Sequence, residues 1–224
     1  MARTRTFIAV EVSAGVRHNV HVFQQTLAQV SPAIKWTHPD TLHLTLLFLG
    51  DVEDPDLVEV CQHVQAVTHT LAPFSLHVAG LGAFPNWHRP KILWAGVRQG
   101  AEQLRILHEG IAQRLIPAGL YRPEGRPFTP HLTLGRIQSQ ATHVSLQRAL
   151  DKRADWEAGQ TWVDQVIVFA SILERHGPIH TPLFRSPLSA QPAADATTPS
   201  VTSIPPDTFR NVQPHHKIDH YQID

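Results

Sequence analysis

The sequence predicts an α+β protein with two sheets, each covered by helices on one face. Three observations predict it. Short strand-like runs alternate with segments whose apolar residues recur at three-four spacing, the helical period. The strand–helix order of the first half then recurs in the second. Finally, the tetrapeptide His-Leu-Thr-Leu occurs once in each half, at residues 43–46 and 131–134.

Residues 5–12 read as the first strand. Ser13 follows as an N-cap, its hydroxyl able to accept from a free backbone N–H, for a helix with Val16, Val20, Phe23, Leu27 and Val30 on one face. Gly15 weakens the first turn of that helix. Residues 34–37 and 42–49 are strands separated by the turn signal Pro39-Asp40. Asp54 then caps a second helix, with Pro55 at its first position and a stripe of Leu57, Val60, Val64, Val67 and Leu71. Residues 74–81 and 91–97 read as strands around a loop at 82–90. A third helix spans 101–115, with Leu104, Leu107, Ile111 and Leu115 on one face, and a Pro/Gly-rich loop leads to a strand at 131–137. A short helix at 145–156, a long β-branched run at 161–173 and a strand at 181–184 complete the body. From residue 186 onward Ser, Pro, Ala and Thr dominate with little hydrophobic periodicity, so 186–224 reads as a flexible tail and 1–185 as the working domain.

The 224 residues carry 19 Lys+Arg against 19 Asp+Glu, and removing the tail leaves the body close to neutral. That balance lacks the broad positive field on which bulk duplex binding depends, so a polyanion must be held locally by a few placed groups. A single cysteine, Cys61, excludes an intramolecular disulfide and thiolate metal clusters, which fits a reducing compartment. The apolar run 7–10 behind Arg3 and Arg5 stops at Glu11, too short for a signal-peptide core, and no segment approaches a membrane span. The expectation is a cytoplasmic monomer with no membrane or duplex DNA partner.

The tetrapeptide carries the chemistry. Strand alternation points His43 and Thr45 to one face and Leu42, Leu44, Leu46 and Phe48 to the other. One face is core; the other offers an imidazole and a hydroxyl. His131 and Thr133 repeat this, backed by Leu132 and Leu134, so two halves packed about a pseudo-two-fold bring two His/Thr pairs to one cleft. Such a constellation suits a phosphodiester. A neutral imidazole can take a proton from attacking water while a protonated one delivers a proton to the leaving oxygen. The hydroxyls can donate to non-bridging phosphate oxygens, and no metal or other cofactor is required.

The sequence resembles the two-histidine phosphoesterases, most closely their RNA 2',3'-cyclic phosphodiesterase branch, historically called 2'-5' RNA ligases. The resemblance covers residues 5–185 and lies in RTFIAVE at 5–11, HLTLLFLG at 43–50, GLGAFP at 80–85, KILWAGV at 91–97 and FTPHLTLGR at 128–136. It implies a bilobal fold of two pseudo-symmetric lobes, each an antiparallel sheet covered by helices, with the active-site cleft between them. It also implies opening of terminal 2',3'-cyclic phosphates on RNA ends or small nucleotides to 2'-phosphates without a metal, and in some members a weak reverse ligation. By the same resemblance His43 is the proton donor and His131 the acceptor, an assignment open to reversal, with Thr45, Thr133 and Arg136 on the phosphate. Strict alternation sets Arg136 on the face opposite His131, so reaching the cleft requires a strand end, a twist or a bulge.

For a lone His-x-Thr, a packed strand histidine is the better reading; the duplicate reverses that judgement. Phe128 and Trp36 read as core rather than base-stacking platforms. Of the sixteen histidines, His18 with His21, His176 with His180, and His215, His216 and His220 invite a metal reading. Gly177-Pro178 interrupts the second pair, no acidic cluster accompanies any of them, and adventitious capture by the tail is the stronger reading. Rival functions are 2'-5' ligation of tRNA halves, cleavage of another cyclic or 2'-5'-linked nucleotide, and a non-catalytic RNA-end-binding module.

Overall fold

A computed structural model describes residues 2–29, 33–123, 125–138, 143–151, 153, 155–174 and 177–190. Nine strands and four α-helices follow one another among them: β1 (Arg3–Glu11), α1 (Ala14–Ala28), β2 (Ile34–Trp36), β3 (His43–Glu53), α2 (Leu57–Thr68), β4 (Phe74–Phe84), β5 (Ile92–Gln99), α3 (Ala101–Leu115), β6 (Leu132–Ile137), α4 (His143–Asp151), β7 (Glu157–Val163), β8 (Gln165–Glu174) and β9 (Gly177–Pro187). They form a four-stranded sheet of order β3-β1-β8-β9 and a five-stranded sheet of order β2-β6-β5-β4-β7. Every pairing is antiparallel.

The two-sheet α+β architecture matches the expectation, but the sheets are not the two consecutive halves of the chain. The four-stranded sheet takes β1 and β3 from the beginning and β8 and β9 from the end, and β2 crosses to pair with β6. The run 161–173 is two strands in different sheets, switching at Asp164, whose carbonyl accepts from the Leu188 N–H at 2.8 Å. The packed body also extends past the expected boundary at 186: Ser186 is buried inside β9, and the N–H groups of Ser189 and Ala190 donate to Thr68 and Leu71 carbonyls. Residues 191–224, with the three tail histidines, lie outside the described residues, as do Val30 and His176.

Local chemistry explains the elements. Ser13 caps α1 as expected, its Oγ accepting from the Val16 N–H at 3.2 Å, and Val16, Val20, Phe23 and Leu27 are buried. Gln24 is buried on the same helix because its amide donates to the carbonyls of Thr37 and Leu134, at 2.9 and 3.0 Å, satisfying groups near the second tetrapeptide. Asp54 does not cap α2. Its carboxylate accepts from the Thr4 hydroxyl at 2.8 Å, and a 3₁₀ turn over Asp54–Asp56 leads into the helix instead. β4 runs to Phe84, three residues into the expected loop, and there Gly82 makes room for Trp94. A Cβ on Gly82 would lie 2.1 Å from the indole, so only glycine lets the ring lie across that strand.

One main core, including Ile8, Val10, Leu44, Leu76, Leu93, Leu104, Leu107, Leu132 and Leu134, joins both sheets and the helices. A second, small apolar cluster of Phe7, Ala9, Ile167 and Phe169 lies apart from it. Since Ile8 and Val10 alternate with Phe7 and Ala9 along β1, the second cluster occupies the opposite face of the four-stranded sheet. That face carries His43.

Candidate active site

His43 opens β3, opposite Glu11 of β1. Leu42, Leu44 and Leu46 are buried in the main core, which leaves His43 and Thr45 half-buried on the other face. The His43 ring stacks on Phe7 with centroids 4.7 Å apart, and Phe7 in turn stacks on Phe169 at 5.0 Å. His180, on β9, meets the His43 ring edge-on at 5.3 Å and the Phe7 ring edge-on at 4.9 Å. The small apolar cluster is therefore the floor on which this imidazole rests.

His131 lies immediately before β6, with Leu132 and Leu134 fully buried behind it and Thr133 half-buried beside it. Phe84 meets its ring edge-on at 4.9 Å, and Trp94 stands 6.1 Å away. β3 and β6 touch, and a charge on His131 opposes one on His43. The two tetrapeptides thus lie on strands of different sheets that touch, near enough for one imidazole to feel the other's charge.

The two imidazoles are held in the same way. His43 Nδ1 is 2.7 Å from the Thr41 carbonyl, and His131 Nδ1 is 2.8 Å from the Thr129 carbonyl, two residues back in each case. A carbonyl oxygen only accepts, so each Nδ1 must carry its proton. The neutral ring then presents a bare Nε2, the tautomer a base needs, and the same atom carries the proton when the ring is cationic. Burial pushes the His43 pKa down to about 4, with the Thr41 bond opposing the shift and positive charge on His180 or His131 adding to it. Burial also lowers His131, against the Thr129 bond, with the Arg126 guanidinium contributing. Both rings are accordingly neutral near pH 7 before any anion binds.

Strand geometry settles where Phe48 and Arg136 point. In the β1–β3 pairing Ala9 faces Thr45 and Ile8 faces Leu47, so Leu46 is skipped. In the β5–β6 pairing Trp94 faces Thr133 and Leu93 faces Gly135, so Leu134 is skipped. Each is a β-bulge, and each flips the alternation beyond it. Leu47 and Gly135 are buried behind the strand, and Arg136, exposed, returns to the face of His131 and Thr133. Phe48, expected in the core, is 39% exposed on the His43 side, where the Arg5 guanidinium covers its ring at 4.6 Å.

Sequence reading misses His180, Phe7, Phe84 and Trp94 as walls of the site. It offers His180 only as a partner of His176, although alternation along 5–12 does place Phe7 on the face away from Ile8. Trp36 and Phe128 are packed against the main core as expected, Phe128 stacking in parallel on His108 at 4.2 Å. His18 is exposed on α1, and His21 pairs with Gln25 at 3.0 Å.

Known proteins resemble this chain in sequence and in fold. The model of a family described as LigT-like phosphoesterase matches residues 10–94 and again residues 96–180. The chain is 35% identical over 147 residues to the RNA 2',3'-cyclic phosphodiesterase of Aquifex aeolicus, an alignment spanning 66% of this chain and 78% of that protein. With the protein of the same description from Methanothermobacter thermautotrophicus the identity is 31% over 179 residues, spanning 80% and 96%. Among solved structures, a protein of Thermus thermophilus superposes with a TM-score of 0.69 at 27% identity, covering 84% of this chain and 99% of that one. LigT of E. coli in complex with 3'-AMP gives 0.68 at 26% identity, covering 84% and 99%.

Proposed function

Because the chain belongs to the LigT-like phosphoesterase family, we propose that it hydrolyses terminal 2',3'-cyclic phosphates of RNA ends or small nucleotides to 2'-phosphates, with its own two imidazoles as acid and base. The observation that carries this reading is the matched pair of Nδ1–carbonyl bonds, which leaves Nε2 of both His43 and His131 as the proton-transfer atom.

In the proposed step, water attacks phosphorus while Nε2 of one histidine takes its proton. The phosphorus–3'-oxygen bond breaks, and Nε2 of the other histidine delivers a proton to the departing 3'-oxygen. Atoms and charge balance with one water consumed and a 2'-phosphate formed. Thr45 and Thr133 donate to the non-bridging oxygens as charge moves onto them, and Arg136 adds a cation from the His131 side. The acid must be protonated, whereas both rings rest neutral. The negative phosphate resolves this, since an anion at the site favours the imidazolium form and raises the pKa of whichever ring it touches.

His43 is taken as the donor, with the Glu11 carboxylate opposite it on β1 favouring its cation, and His131 as the acceptor. A second reading exchanges the roles, and the depression of His43 to about 4 supports it, because a ring that resists protonation rests as a base. An activated aryl leaving group separates them, since it departs without help from an acid. With such an ester, substitution of the acid histidine loses little while substitution of the base still loses most.

The function is tested by incubating the protein with a 2',3'-cyclic nucleotide under excess chelator and identifying the product. Release of the 2'-phosphate is expected. Loss of activity on chelation would sink metal independence, and tight binding without turnover would mark a binding module.

A further inference from the structure

Among the described residues, His180 is a histidine beside His43 that the proposed mechanism leaves unused. It is carried on β9 opposite Ser171, with its ring steeply inclined to those of Phe7 and His43 and Phe169 farther off at 6.4 Å. Among the described residues nothing hydrogen-bonds this ring. Its Nδ1 is sealed from solvent without a partner, so the half-buried ring can be reached only through Nε2. A phosphate oxygen only accepts, so a neutral ring reached through Nε2 alone meets one with its proton on that atom and the sealed Nδ1 bare. This is the reverse of His43 and His131, whose Nδ1 atoms must carry the hydrogen.

We propose that His180 is a third functional imidazole of the site, a neutral ring that donates its Nε2–H to a phosphate oxygen of the substrate beside His43. The assignment rests on the phosphodiesterase reading and adds a substrate contact to it. His180 serves binding rather than proton transfer, because a cationic ring would need an N–H on the sealed Nδ1 as well. Burial also lowers its pKa, in the same direction. The contact exists in the substrate complex as well as in the transition state, so its loss falls on KM more than on kcat.

His180→Phe keeps a flat ring against Phe7 and Phe169 and removes both nitrogens, while His180→Gln places an amide N–H near the position of Nε2. With 2',3'-cyclic AMP as substrate, the Phe variant should raise KM tenfold or more with kcat within threefold of wild type and an unchanged Tm. The Gln variant should return KM to within threefold. A KM within twofold in the Phe variant overturns the proposal, as does equal impairment of the two variants. Titration of the wild-type protein with inorganic phosphate, followed by imidazole NMR, is independent of turnover and should move the His180 Nε2 signal. A signal that stays fixed while that of His43 moves also overturns it. If the wild type binds phosphate through His180 yet turns over no cyclic nucleotide, the phosphodiesterase reading fails and the His180 contact stands.

Discussion

Leu46 and Leu134, the fourth residues of the two tetrapeptides, are each the extra residue of a β-bulge in their strand. The duplication thus extends past the repeated letters into backbone geometry. It makes Phe48 and Arg136 equivalent in place and opposite in chemistry: one side of the site has an aromatic ring where the other has a guanidinium.

That asymmetry predicts that Arg136→Gln impairs cyclic nucleotide hydrolysis while Phe48→Leu does not. A charge-assisted bond to phosphate contributes about 1.5–3 kcal/mol, roughly 10- to 100-fold in kcat/KM. Steady-state kinetics on both variants check it. An Arg136→Gln rate within twofold of wild type would remove this residue from the site.

Each imidazole is expected to contribute about 10²–10⁴-fold. His43→Ala and His131→Ala should each lower kcat by that range with the fold retained, as read by circular dichroism and kinetics. Near-native rates in both would return the tetrapeptides to packing motifs.

Acid should destabilise the protein through His43. Its folded pKa of about 4 lies below the ordinary 6.5, so between these values the unfolded chain binds a proton that the folded chain refuses. Stability from this group is complete above about pH 6.5 and is lost as the pH falls towards 4, by up to about 3 kcal/mol. His43→Phe keeps the stack on Phe7 and should show a smaller loss between pH 7 and 4.5 in urea unfolding. Parallel curves for variant and wild type would mean that the ring is not held neutral.

Gly82→Ala should disturb the His131 side without touching an ionisable group. Its new methyl collides with the Trp94 indole, which stands beside Phe84 and His131. Overpacking of this kind costs about 1–3 kcal/mol. Thermal unfolding should show the loss, and kcat/KM should fall with it; an unchanged Tm would show that the indole can move aside freely.

Much of the molecule is legible in the sequence because local rules and tertiary packing agree. The bounds of α3, the Ser13 cap and the outward turn of His43, Thr45, His131 and Thr133 follow from spacing alone. The bulges are not legible, since Leu46 and Leu47 are equally apolar and nothing in their order says that both enter the core. Alternation sets both Phe48 and Arg136 on the wrong face for that reason, since each lies beyond a bulge. Asp54 looks like a cap until Thr4, fifty residues away, takes its carboxylate. The switch of sheets at Asp164 is invisible in a continuous β-branched run. His180 reaches the site through the pairing of β9 with β8 and of β8 with β1, a relation that no local window contains.

The exchange of strands between sheets has a consequence for biosynthesis. By residue 133 a nascent chain already contains both histidines and both threonines of the site, yet the Ile167 and Phe169 beneath Phe7 belong to β8 and His180 to β9. Catalytic competence is thus deferred until β8 and β9 have left the ribosome, and a fragment stopping short of residue 165 should hold the reactive groups but no bed to set them in.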